Sequence, residues 1–221
     1  MSRHLSLAGA GCILSAATRM DAMPQGLLRS VGLLACMVLA APAWAQQGAL
    51  TVPRNLQQLT DRAAHIVRGN VVSARMERHP ELGLPMLVLT MHVRETLKGP
   101  HRETVTFRQY IWDYRERTSA ASFRKGDDLL LLMIAPSRYG LSSPAGMEQG
   151  RFRITRDTEG REMALNGHGN ALLFDGLEAQ AAKEGTVLSA ASARLLRQPP
   201  RGPVELRRLT GLIRDLVNRG G

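Results

Sequence analysis

Cysteine is almost missing from this 221-residue chain, and the two present, Cys12 and Cys36, lie near its start. Past residue 36, a disulfide framework, a thiol nucleophile and a cysteine-ligated metal are all excluded. Lysine is scarce as well: Lys98, Lys125 and Lys183 are the only lysines among 29 basic residues. Aromatic residues make up 4% of the chain. The apolar runs are too short to span a bilayer comfortably. Hydrolase, phosphate-loop and dinucleotide signatures are missing: there is no G-x-S-x-G elbow, no H-E-x-x-H and no glycine-rich fingerprint. The run Ser142-Ser143-Pro144-Ala145-Gly146 lacks the glycine and strand context of an elbow. His65, His79, His92, His101 and His168 are nowhere paired at metal-ligand spacing on a predicted helix.

What the chain does carry begins with a segment that reads as a secretory leader, Met23 to Ala45. Arg29 supplies the positive n-region and Val31 to Ala41 the apolar h-region. Ala43-Trp44-Ala45 forms a small-x-small cleavage site before Gln46. Met20 and Met23 can each serve as the start, and residues 1–22 add nothing that a leader needs. Leu33-Leu34-Ala35-Cys36 loosely resembles a lipobox. Cleavage there would leave the apolar Met37 to Ala41 behind the lipidated cysteine and an h-region of about five residues. A cut between Ala45 and Gln46 is therefore the expectation, and it removes both cysteines. The product is expected to be soluble, free of disulfides, and periplasmic or secreted.

The formal charge is +10. Arg3, Arg19 and Arg29 against Asp21 precede the cut, so the product keeps +8. The arginines are scattered, without a run of five or more basic residues, and arginine-for-lysine bias is what GC-rich coding produces. Nucleic acid is accordingly not the expected partner; an anionic envelope polymer or a protein is.

Along the chain, residues 46–58 form a lead-in in which Asn55 caps a short helix carrying Leu56, Leu59 and Ala63 on one face. Ile66 to Ala74 has strand character, and Gly69 within it predicts a bulge. A loop from His79 to Pro85 leads to an alternating strand with Leu87, Leu89, Met91 and Val93 on one face and Val88, Thr90, His92 and Arg94 on the other. Leu97 to Pro100 is a turn. Glu103 to Trp112 is the next strand, with Val105, Phe107, Gln109 and Ile111 inward. Leu129 to Ala135 reads as a strand buried on both faces, and Gly150 to Thr155 as a short strand. In residues 156–202, Met163 to Asn166 and Ala171 to Phe174 predict a hairpin around Gly167-His168-Gly169. A helical turn over Leu177 to Lys183 and a stiff Gln198 to Pro203 linker follow. Residues 203–221 predict an amphipathic helix with Leu209, Leu212, Ile213, Leu216 and Val217 on one face, stopped by Gly220.

Ile66-Val67-Arg68-Gly69-Asn70-Val71, Val93 to Gly99, Val105 to Phe107 and Phe123 to Leu132 together resemble a layout seen in exported bacterial proteins, similar to the netrin-like domain of tissue metalloproteinase inhibitors. That resemblance implies a mainly β fold: an OB/netrin-like barrel of five to six strands over residues 59–155, with a short N-terminal helix and an amphipathic C-terminal helix. It also implies an inhibitor or accessory role toward an exported peptidase. The inhibitory mechanism does not transfer, because it uses an amino-terminal cysteine that the cleaved chain lacks.

Three candidates for chemistry remain. His168, flanked by Asn166-Gly167 and Gly169-Asn170, is an exposed ligand or proton carrier, or simply part of a turn whose residues supply positive φ. Asp127-Asp128 is an acid–base or cation pair, or a charged guard before an apolar strand. An unrecognised hydrolase would have to use these residues. Arg108, Tyr110, Trp112 and Tyr114 share a parity opposite to the inward set, giving one face a cation and three aromatics. Barrels of this class stack ligands on such faces, unless the C-terminal helix or the 113–122 connection covers it. No catalytic, metal or cofactor site is expected. The leading expectation is a non-catalytic binding protein using that stripe.

Overall fold

The computed structural model of the protein describes residues 52–111 and 122–219. The leader with its Ala45–Gln46 cut, Trp112, Tyr114 and Gly220 lie outside the described residues. Helix α1 (Leu56–Arg62) opens with the reciprocal cap that its sequence allows: Asn55 accepts from the Gln58 backbone N–H at 3.0 Å, and the Gln58 side chain accepts from the Asn55 N–H at 3.1 Å. Leu56 and Leu59, spaced i to i+3, are fully buried.

Strands β1 (His65–Arg78) and β2 (Pro85–Lys98) form a long hairpin, followed by β3 (Thr104–Tyr110), β4 (Asp128–Met133), β5 (Arg151–Arg156), β6 (Glu162–Asn166) and the two-residue β7 (Val204–Glu205). They make one antiparallel sheet in the order β3-β2-β1-β4-β5-β6-β7. The register between β1 and β2 shifts between Arg68 and Gly69, where the bulge was predicted.

Strand β4 is central and apolar on both faces because it separates two cores. Leu130 and Leu132 join Ile66, Phe152, Ile154 and Ala164 on the helix-bearing face. Leu129, Leu131 and Met133 join Val67, Leu87, Leu89, Met91, Val93, Phe107 and Phe123 on the other. The two-faced burial read from the leucine run is what the structure has.

Helices α2 (Leu177–Lys183), α3 (Ala190–Arg197) and α4 (Leu206–Asn218) cover the first core together with α1. The buried stripe of α4 is Leu206, Leu209, Leu212, Ile213 and Leu216, each contributing roughly 1.5–3 kcal/mol of apolar transfer.

Two expectations are corrected. The sheet has seven strands and is open, whereas a closed barrel of five to six was expected. β5, β6 and β7 extend it beyond β4, leaving β3 and β7 as opposite edges. The 163–174 hairpin is also replaced. Met163 to Asn166 is a strand, but its partners are β5 and β7, and Ala171 to Phe174 is a series of turns. Asn170 and Leu172 both take φ 59°, left-handed values that a strand does not contain. The Leu173 carbonyl is used elsewhere, accepting the Leu56 N–H at 2.7 Å.

Candidate functional site

The residues singled out from sequence go to three separate places. His168 is exposed on the turn after β6, and its N–H donates to Asn166 Oδ1 at 3.0 Å. That turn is built by two buried asparagines: Asn166 Oδ1 also accepts the Asn170 N–H at 2.8 Å, and Asn170 Nδ2 donates to the carbonyls of Ala164 and Gly202. The two asparagine side chains are thus spent on holding the turn, while the His168 side chain stands exposed.

Asp127 and Asp128 are committed to ion pairs. Asp128 lies between Arg68 (3.1 Å) and Arg94 (3.2 Å), and Arg68 also reaches Glu162 at 2.7 Å. Burial disfavours the Arg68 charge, yet hydrogen bonds to Asp128 and Glu162 and their negative charges outweigh it, so its pKa is raised. Asp127 accepts the Arg124 N–H at 3.0 Å and closes the turn before β4. Among the described residues no three His, Cys, Asp or Glu side chains gather as a metal-holding group.

Arg108 and Tyr110 do share a face of β3, Arg108 exposed and Tyr110 half-buried. They sit directly across from Val88 and Met86 of β2, which are 5% and 3% exposed. Arg108 and Tyr110 therefore flank a buried apolar pair. The buried residues of α4 belong to the first core, which includes neither Arg108 nor Tyr110.

The feature that sequence reasoning missed is the outer edge of β3. Glu103 accepts the Val93 N–H and Ile111 donates to the Pro85 carbonyl, so odd-numbered residues of β3 direct their backbone groups toward β2. Even-numbered residues direct theirs outward. The Arg108 carbonyl, on that outward side, accepts the Ser142 N–H at 2.7 Å. Ser142 belongs to the segment that returns from β4: its hydroxyl donates to the Ile134 carbonyl at 2.7 Å, and Pro144 forms a bridge with Met133. The sheet thus curls until its β3 edge meets the loop after β4, and one backbone bond spans the seam.

A cavity opens on each side of that bond. One, about 380 Å³, is lined by Gln109, Tyr110, Ile134, Leu141, Ser142 and Met147. The other, about 400 Å³, lies along the start of β3, between Thr104, Val105, Thr106 and Phe107 on one wall and His65, Val67 and Ile134 on the other. Both are within the size range of ligand sites. Gly99 shapes the second. Its φ is 90°, and a Cβ there would stand 2.7 Å from His65 Nδ1, so only glycine lets the β2–β3 turn lie against the imidazole.

The opposite wall is pinned by His79, which is 5% exposed. Its Nδ1 accepts the N–H groups of Glu81 and Leu82, both at 3.2 Å, which leaves Nε2 as the donor to the Tyr139 carbonyl at 2.9 Å. The tip of the β1–β2 hairpin thereby holds the loop that carries Leu141 and Ser142. No side-chain signal announces this seam, because the contact that makes it joins backbone atoms of residues 108 and 142. The outward threonines Thr104 and Thr106 were the one available hint. No family model, curated protein or solved structure matches the chain.

Proposed function

We propose that the protein is a non-catalytic binding module that takes its ligand along the free edge of β3, in the groove between that edge and the Ile134–Ser142 wall. One observation carries this reading: β3 is an edge strand whose outward backbone groups at Thr104 and Thr106 have no partner among the described residues, and a cavity of about 400 Å³ lies against them. The two carboxylates considered for acid–base work are engaged elsewhere, since Asp127 and Asp128 hold arginines. The curl of β1–β4 around its own core, with the Arg108–Ser142 bond at the seam, supports placing this half near the OB-like barrels. The Met23–Ala45 leader supports a periplasmic or secreted location.

The test is site-directed photo-crosslinking in the exported protein. A photo-reactive side chain replacing Thr106 is expected to form a discrete adduct in the cell envelope. The same group at Thr155, exposed on β5, is expected to form none. Equal labelling at both positions, or none at either, would remove the groove as the site.

A further inference from the structure

We propose that the ligand of this groove is an extended peptide that adds to the sheet as a strand antiparallel to β3, with its terminal carboxylate held beside Arg102 and His65. This rests on the groove being the binding site. Three features of the groove select the ligand. The edge offers unpaired N–H and C=O groups on alternate residues, Thr104 and Thr106, and these form a ladder only with another extended backbone. Its floor is apolar where Val67, Val105, Phe107 and Ile134 line it, which suits side chains projecting from every second residue of a strand.

The polar end is asymmetric. Arg102 and His65 both stand at the end where β3 begins, and neither side chain has an ion-pair or hydrogen-bond partner among the described residues. A carboxylate placed there meets a guanidinium and an imidazole N–H. A strand whose C-terminus lies beside the start of β3 must run antiparallel to it, which matches every other pairing in the sheet. The Arg108 carbonyl, already bonded to Ser142, limits the new ladder to the stretch before it.

The probe is a pool of pentapeptides of Val, Ile and Thr with free C-terminal carboxylates, added to the full chain labelled with ¹⁵N. Strand addition is expected to slow amide exchange at Thr104 and Thr106, and to weaken about tenfold when the peptide ends in an amide. Arg102→Gln should remove that tenfold preference and leave binding of the amide form unchanged. N-methylation of alternate peptide residues should abolish binding in one parity and be tolerated in the other. Thr106→Pro removes an outward N–H without touching the β2 ladder, and is expected to keep the fold while losing the peptide; should it unfold, the N-methyl series decides alone.

Binding that ignores N-methyl parity, or that leaves both amides unprotected while Thr106 still crosslinks, overturns strand addition and spares the groove. No protection by the pool at millimolar concentration also overturns it. Peptide binding unaffected by any change at residues 102–106 would instead defeat the groove itself.

Discussion

At position 69 a methyl group would sit 2.1 Å from the His92 carbonyl oxygen, a distance that no Cβ tolerates. The β1–β2 bulge therefore depends on glycine for room, while its backbone φ is unremarkable. Gly69→Ala should force the two strands apart and cost about 2–3 kcal/mol, read as a lower urea midpoint with an unchanged slope. A shift below about 0.5 kcal/mol would mean that the bulge relaxes freely. Residue-scale features of this local kind were legible in the sequence: a glycine inside a β-branched run, or Asn55 three residues before Gln58. Features that depend on a distant partner were not. Asp128 was readable as a charge at the mouth of an apolar strand, but its partner Arg68 lies 60 residues away, and nothing in either neighbourhood names the other.

Among the elements, β4 and α4 were legible because each repeats its signal long enough to show a period. Helix α3 was not. It has eight residues, its buried leucines Leu195 and Leu196 are adjacent, and its Ser189 cap is completed by Asp215 of α4 at 2.8 Å. β6 was read as a strand, but given the wrong partner, because the Asn166 and Asn170 clamp looks in sequence like the apex of a hairpin. The true hairpin joins β5 to β6 through Asp157. Its side chain accepts the N–H groups of Glu159 and Arg161, both at 2.9 Å, and pairs with the Arg161 guanidinium at 2.8 Å. The hydrogen bond from Arg161 lowers the Asp157 pKa, with backbone N–H groups adding to it against some desolvation. A depressed folded pKa makes this carboxylate stabilising above its unfolded pKa of about 4 and progressively less so as pH falls through the folded value. Amide protection at Glu159 and Arg161 should accordingly hold at neutral pH and fade below about pH 4. Asp157→Ala should erase that dependence; a variant with the wild-type acid profile would show that another group is responsible.

Taken whole, the molecule is organised around a strand that comes early in the chain and ends up in the middle of the sheet. β1 pairs with β2, its neighbour in sequence, and with β4 much later in the chain, and the seam joins β3 to Ser142. Non-local pairing of this sort slows folding. Refolding by stopped-flow fluorescence of the full chain is expected in milliseconds to seconds, and a microsecond phase carrying the whole amplitude would contradict the topology. The same non-locality hid the candidate site, since a groove made by strands curling toward one another leaves no contiguous motif. Arg219 takes the principle furthest. It reaches both Asp61 of α1 and Glu184, and its pairing with Asp61 joins positions 158 residues apart. At ribosomal rates of ~5–20 residues per second, that interval corresponds to about 8–30 s of translation. Throughout it the apolar side of α1 lacks the C-terminal helix against which it packs in the finished core.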